Sequence, residues 1–114
     1  MIPTEKSVFS SSDPYIWDFY EKLKNSLEKI GKFAVEPKKT SLHIVNRAAF
    51  LGVHPKKTSL ELNIVAVTPI ASPRIIKTEL VSSNRYHNRL RITAESEIDQ
   101  ELINWITKAY QLMA

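Results

Sequence analysis

Ser-Leu-Glu-Leu-Asn-Ile-Val-Ala, residues 59–66, sets Leu60, Leu62, Ile64 and Ala66 on one side of an extended chain and Ser59, Glu61, Asn63 and Val65 on the other. A period of two marks a strand with one buried and one wet face, the habit of antiparallel sheets. The pattern recurs around this stretch. Phe33 and Val35 alternate before Pro37, Leu42 and Ile44 alternate with His43 and Val45, Ile76, Thr78 and Leu80 with Lys77, Glu79 and Val81, and Leu90 and Ile92 with Arg89 and Arg91. These segments predict four to five short strands. Ser-Ser-Asn-Arg (82–85) reads as a tight turn, so an antiparallel meander is expected.

Helical periodicity brackets the strands. Ile16, Phe19, Tyr20, Leu23, Leu27 and Ile30 trace one helical face. Asp13 is expected to cap that helix, Pro14 suits its first position, and Gly31 is expected to end it in a left-handed turn. At the other end, Ile98, Leu102, Trp105, Ile106, Ala109 and Met113 form a second apolar stripe, and Trp105 reads as core. Ser96 is the expected cap there, with Asp99 three residues on and acids crowding the first turn. Two amphipathic helices and one half-apolar sheet bury each other, which predicts an α+β two-layer sandwich: N-terminal helix, mainly antiparallel sheet, C-terminal helix. Residues 1–12 read as a flexible arm and residues 13–114 as one α+β domain.

Composition narrows the chemistry. With 114 residues, 43% hydrophobic and 25% charged, the chain is long and apolar enough for a core of its own. It has no cysteine, which excludes disulfides, thiolate metal sites and a cysteine nucleophile. Its two glycines, Gly31 and Gly52, stand far apart and exclude a P-loop or a dinucleotide fingerprint. No run is long and apolar enough to span a bilayer, and no secretory signal is recognisable, so a cytoplasmic protein with no membrane partner is expected. His43, His54 and His87 could converge across neighbouring strands as a zinc set, but none is paired at metal-ligand spacing, and no metal or cofactor is expected.

Charge divides sharply along the chain. From Lys32 to Thr93, eleven Lys or Arg face only Glu36, Glu61 and Glu79, whereas the segments before and after carry net negative charge. A basic middle favours an anionic partner, DNA or RNA first; the plainer alternative is a solvated sheet face. Pro-Lys-Lys-Thr-Ser-Leu occurs twice, at 37–42 and 55–60, and both copies read as strand starts rather than as a duplicated binding loop. If the strands near 41–47 and 58–67 pair antiparallel, the two lysine pairs fall at opposite ends of the sheet. Lys38 and Lys39 would then join Arg74 in a secondary basic patch. Lys56 and Lys57 would join His54 and the turn Asn84-Arg85-Tyr86-His87, an acid-free cluster and the expected anion site. Lys56, Lys57 and Arg85 would hold phosphate, with His54, His87 and Tyr86 orienting it; Tyr86 and Phe50 could also stack on bases.

Other functions stay open. His43, Glu61, Glu79, His87 and Arg89 could share the wet sheet face as a small acid–base or anion site, or form a cross-strand charge ladder. No nucleophile elbow, carboxylate pair or triad is recognisable, so a non-enzymatic module is expected and no catalytic residue is named. Val45, Val65, Val67 and Val81 fall on the same face and suggest docking or a homodimer.

Several stretches together resemble a known family. Glu-Pro-Lys-Lys-Thr-Ser-Leu-His (36–43), Val-His-Pro-Lys-Lys (53–57), Ser-Pro-Arg-Ile (72–75), Lys-Thr-Glu (77–79), Asn-Arg-Tyr-His (84–87) and Glu-Leu-Ile-Asn-Trp-Ile (101–106) are similar to an uncharacterised bacterial domain-of-unknown-function family, number five-six-five-five. The resemblance runs from about Tyr15 onward. It implies no established activity and carries over no catalytic residue. Some longer relatives pair the domain with a nuclease-like one, and others are labelled predicted transport proteins; the former association points by analogy to nucleic acid.

Overall fold

The computed structural model describes residues 2–113, so Met1, the first residue of the expected arm, and Ala114, the last of the expected domain, lie outside the described residues. The apolar stripes become helices α1 (Pro14–Glu28) and α2 (Gln100–Leu112). The period-two segments become strands β1 (Ala34–Pro37), β2 (Leu42–Val45), β3 (Ala49–Pro55), β4 (Leu60–Ala66), β5 (Ile75–Ser82) and β6 (Arg85–Ile92). They form one open sheet of six strands, not four to five, ordered β1-β2-β3-β4-β6-β5, with every pairing antiparallel.

The additional strand is β3. Its Phe50 and Leu51 are adjacent and both buried, because the β2–β3 register slips beside Val45 and sends Phe50 edge-on against Tyr110 of α2. A bulge of this kind breaks the alternation that would have revealed the strand. Nor is the sheet a meander. The chain leaves β4 at one end and returns to the other to start β5, crossing the helix-covered face, while β6 lies between the two strands it joins. Asn88 of β6 tethers that crossover. Its Oδ1 accepts from the Ile70 N–H (2.9 Å) and the Thr78 hydroxyl (3.1 Å), and its Nδ2 donates to the Ile64 carbonyl (3.4 Å).

Cross-strand rows define the two faces. Leu42, Val53, Leu62, Leu90 and Ile75 stand in one row, and Ile44, Leu51, Ile64, Asn88 and Thr78 in the next. The first four residues of each row are buried, and all of them but Asn88 share one apolar core with Ile16, Tyr20 and Leu23 of α1 and Leu102 and Ile106 of α2. Burying a Leu or Ile side chain completely is worth about 1.5–3 kcal/mol, so this face carries most of the stability.

Helix ends differ in detail from expectation. The Asp13 carboxylate accepts no hydrogen bond from α1 and pairs with Lys57 at 3.1 Å instead, while the Asp13 N–H donates to the Lys57 carbonyl. At α2 the cap is Asp99, which accepts from the Leu102 N–H at 3.0 Å, rather than Ser96. Glu97 instead takes the Thr93 and Ala94 N–H groups, and residues 95–97 make a separate 3₁₀ turn. Gly31 adopts no left-handed conformation; the Tyr110 ring lies against it, leaving no room for a Cβ, and the Tyr110 hydroxyl donates to the Lys32 carbonyl at 2.8 Å. The segment before α1 folds back onto it. Val8 and Phe9 are buried, Phe9 meets Trp17 edge-on, and Glu5 accepts from the Tyr20 hydroxyl and pairs with Lys24 at 2.8 Å. Val8 and Phe9 thus join the core, while Ile2 stays exposed.

Candidate functional site

Helices, N-terminal segment and crossover all pack on one face, and the chemistry collects on the other. Directly paired residues of an antiparallel sheet share a face, so three rows can be read there. The longest is Glu36, His43, Gly52, Asn63, Arg89 and Lys77. On one side of it stands His54, Glu61 and Arg91; on the other stands Val65, His87 and Glu79. The three histidines, on three different strands, surround one position that has no side chain. Gly52 therefore floors a groove of about 200 Å³ lined by His43, His54, His87, Asn63, Val65 and Ala49. A Cβ on Gly52 would sit 3.3 Å from His54 Nε2 and 3.4 Å from the Asn63 Cβ, so any larger side chain would fill the hollow.

Charges around the groove are only partly neutralised. Glu61, buried beneath His54, pairs with Arg91 at 3.1 Å, and Glu79 pairs with Lys77 at 3.4 Å. These pairs make a ladder along the β6 side of the face. Arg89 has no acid within 4.0 Å among the described residues, and neither have Lys39 and Lys56. Among the described residues no group of three His, Asp or Glu side chains is arranged to hold a metal ion.

The duplicated hexapeptide has a structural meaning. Each copy is a hairpin turn: Lys38 N–H donates to the Ser41 carbonyl (2.7 Å), and Lys56 N–H donates to the Ser59 carbonyl (2.8 Å). One turn joins β1 to β2 and the other joins β3 to β4, so the two stand side by side at the same end of the sheet, roughly 10 Å apart. With β3 between them, β2 and β4 run in the same direction. Lys38 and Lys39 therefore share an end with Lys56 and Lys57, contrary to the expected separation.

The expected anion cluster is divided. Lys56 and Lys57 lie beside the pair Leu60–Ile92, whereas Asn84 and Arg85 lie beyond the pair Ala66–Tyr86, roughly 20 Å away along β4. Tyr86 stands in the row of Ala66 and Leu80, on the face opposite His87. Only His54 and His87 of that set meet, in the groove. Lys57 is paired with Asp13, and Phe50 belongs to the core. Arg74 shares the lysine-rich end but lies four or five strands across the sheet from Lys38 and Lys39. It is engaged by Asp99 and Glu101, each at 3.0 Å, by the Glu97 carbonyl at 2.7 Å, and by the Trp105 ring. Acids of the C-terminal segment consume it, so it adds nothing to a basic patch. Of the four valines, Val65 is buried in the groove, Val45 is half-buried, and Val67 and Val81 are exposed. His43, His54 and His87 meet across strands as the sequence allows, while Gly52 and Asn63 were not foreseen; the Gly-Val-His-Pro stretch of the unrecognised strand was the only signal of the hollow.

The surroundings of His54 perturb its titration. Burial pushes its pKa below the ordinary value, and Arg89, Lys56 and His43 push the same way, against Glu61, which raises it. The folded chain thus keeps this ring neutral near pH 7. In the window between its lowered value and the ordinary value near 6.5, the unfolded chain binds more protons. Stability from this group is fully present above about pH 6.5 and is lost as pH falls below it. Melting temperatures recorded from pH 7.5 down to 5 should fall, and His54→Gln should flatten the decline. An equal decline in the variant would assign it to other groups.

Fold and site together define a class: a small α+β domain whose sheet is covered by helices on one face and presents histidines and cations on the other. A family model for DUF5655, a domain of unknown function, matches residues 5–113, and the chain belongs to that family. No curated protein matches the chain, and no solved structure does. Among the described residues no helix is long and apolar enough to cross a membrane.

Proposed function

We propose that the chain is a non-enzymatic binding module that holds a nucleic-acid strand by its phosphates on the open face of the sheet. One observation carries this reading: Lys39, Lys56 and Arg89 are free of acidic partners among the described residues, Lys56 and Arg89 act on His54 of the histidine-lined groove, and Lys39 stands in the turn beside that of Lys56. Electrostatics link the parts, since Lys56 and Arg89 both act on His54, which lies between them. From Lys56 to Gly52 the chain advances roughly 13 Å, longer than a single phosphate group, which favours a strand over an isolated anion. No aromatic side chain of β1 to β6 stands in the three open-face rows, so base stacking contributes little. Recognition then rests on phosphate charge, with His54, His87 and Asn63 orienting the backbone, and sequence preference is weak. This reading places the module in the cytoplasm, within reach of nucleic acid.

Fluorescence anisotropy with a labelled single-stranded oligonucleotide tests the reading. Binding at low salt that weakens steeply as salt rises is expected. No binding at low salt removes it. The small volume of the groove favours one second reading, a sensor or enzyme for a small phosphate-bearing molecule. Under it, inorganic phosphate or a mononucleotide would raise the melting temperature while the oligonucleotide would not bind.

A further inference from the structure

We propose that β5 is a self-complementary edge through which two copies of the chain join into one continuous sheet. β5 ends the sheet and pairs only with β6, which leaves its outer row of backbone N–H and C=O groups without a strand partner among the described residues. All its residues but Ile75 are exposed, and Ile76, Leu80 and Val81 are three of the six exposed large apolar side chains among the described residues. Soluble domains ordinarily blunt such an edge. The bulges at Ile76 and Val81 do so only at its ends, and Lys77–Leu80 stays regular between them.

The sequence of the strand selects the partner. Joining two copies antiparallel requires a two-fold axis perpendicular to the sheet, so residues directly opposite must lie on the same face. That condition admits registers only in steps of two residues. With Thr78 on the axis, Lys77 faces the partner's Glu79 and Glu79 faces the partner's Lys77. Shifting the axis to Lys77 sets lysine against lysine, and shifting it to Glu79 sets glutamate against glutamate. Like charges directly opposite are unfavourable, and Thr–Thr and opposite-charge pairs are favourable, so of these three registers the one centred on Thr78 is selected. The lone Lys77–Glu79 contact of the single chain, at 3.4 Å, is exchanged for two cross-strand pairs. The axis keeps both helical layers on one side and both histidine grooves on the other. The interface stands whether or not those grooves bind nucleic acid.

Sedimentation velocity over a concentration series reads the association, with 13.1 kDa for one chain. Wild type should pass from this mass to twice it. Glu79→Lys alone, and Lys77→Glu alone, should each weaken association by about tenfold or more, because each places two like-charge pairs in the interface. The double exchange Lys77→Glu with Glu79→Lys should restore it. Both positions are exposed, and circular dichroism confirms that each variant folds. A wild type that stays monomeric throughout, a dimer indifferent to Glu79→Lys, or a double exchange that fails to restore pairing would each overturn the proposal.

Discussion

Replacing Asn88 by alanine is expected to lower the unfolding free energy by about 3 kcal/mol, seen in urea titration as an earlier midpoint with an unchanged slope. The side chain is fully buried, and its three hydrogen bonds join β6 to β4, to β5 and to the crossover. Alanine leaves the Ile70 N–H and the Ile64 carbonyl without their side-chain partner and opens a small cavity, and these costs reinforce one another at low local dielectric. For a domain of this size the melting temperature should drop by about 12 °C. Thr78→Ala removes only the peripheral donor, at an exposed position, and should cost under about 1 kcal/mol. A cost at Asn88 no greater than at Thr78 would mean that Ile70 is held by its apolar contacts and not by the tether.

The second large effect concerns binding. The triple variant Lys39→Glu, Lys56→Glu, Arg89→Glu should lose about 100-fold or more in oligonucleotide affinity at low salt. If each cation meets one phosphate, the slope of log affinity against log salt should also become shallower by roughly 2. None of the three side chains has an acidic partner among the described residues, so their loss removes ligand contacts and no internal ion pair. Arg85→Glu is the informative control. Arg85 lies at the far end of the sheet, where among the described residues its guanidinium reaches only Asn84, and its reversal should leave affinity within about threefold. If Arg85→Glu proves as damaging as the triple change, the interface belongs at the β5–β6 turn and the groove plays no part in it.

The two sites differ by two errors of topology that single residues cause. At β3, one bulge puts Phe50 and Leu51 together, and Gly52 then interrupts the apolar pattern, so a seven-residue strand loses its period-two signature. Missing one strand reverses the inferred direction of everything after it, which is why the Lys38–Lys39 and Lys56–Lys57 turns were expected at opposite ends. The second error lies between Ala66 and Ile75. Pro69 and Pro73 interrupt that connection, and its length suits a crossover as well as a loop, so strand order was not legible there. Where local rules act alone, reading worked: both helices, the Ser83-Asn84 turn and the inward faces of β2, β4 and β6 all follow from side-chain spacing.

Sequence by itself determined an α+β domain with two amphipathic helices, antiparallel strands with one apolar face each, and a basic middle segment facing acidic ends. Those properties depend on neighbours within a few residues, and burial of apolar side chains enforces them locally. Only the tertiary structure decided which cations remain free and where they meet. Strand order and direction set which turns share an end, and the C-terminal acids reach Arg74 across the chain while leaving Lys39, Lys56 and Arg89 unpaired among the described residues. A groove formed by the missing side chain of Gly52 beneath histidines from β2, β3 and β6 depends on long-range pairing, which no local pattern encodes.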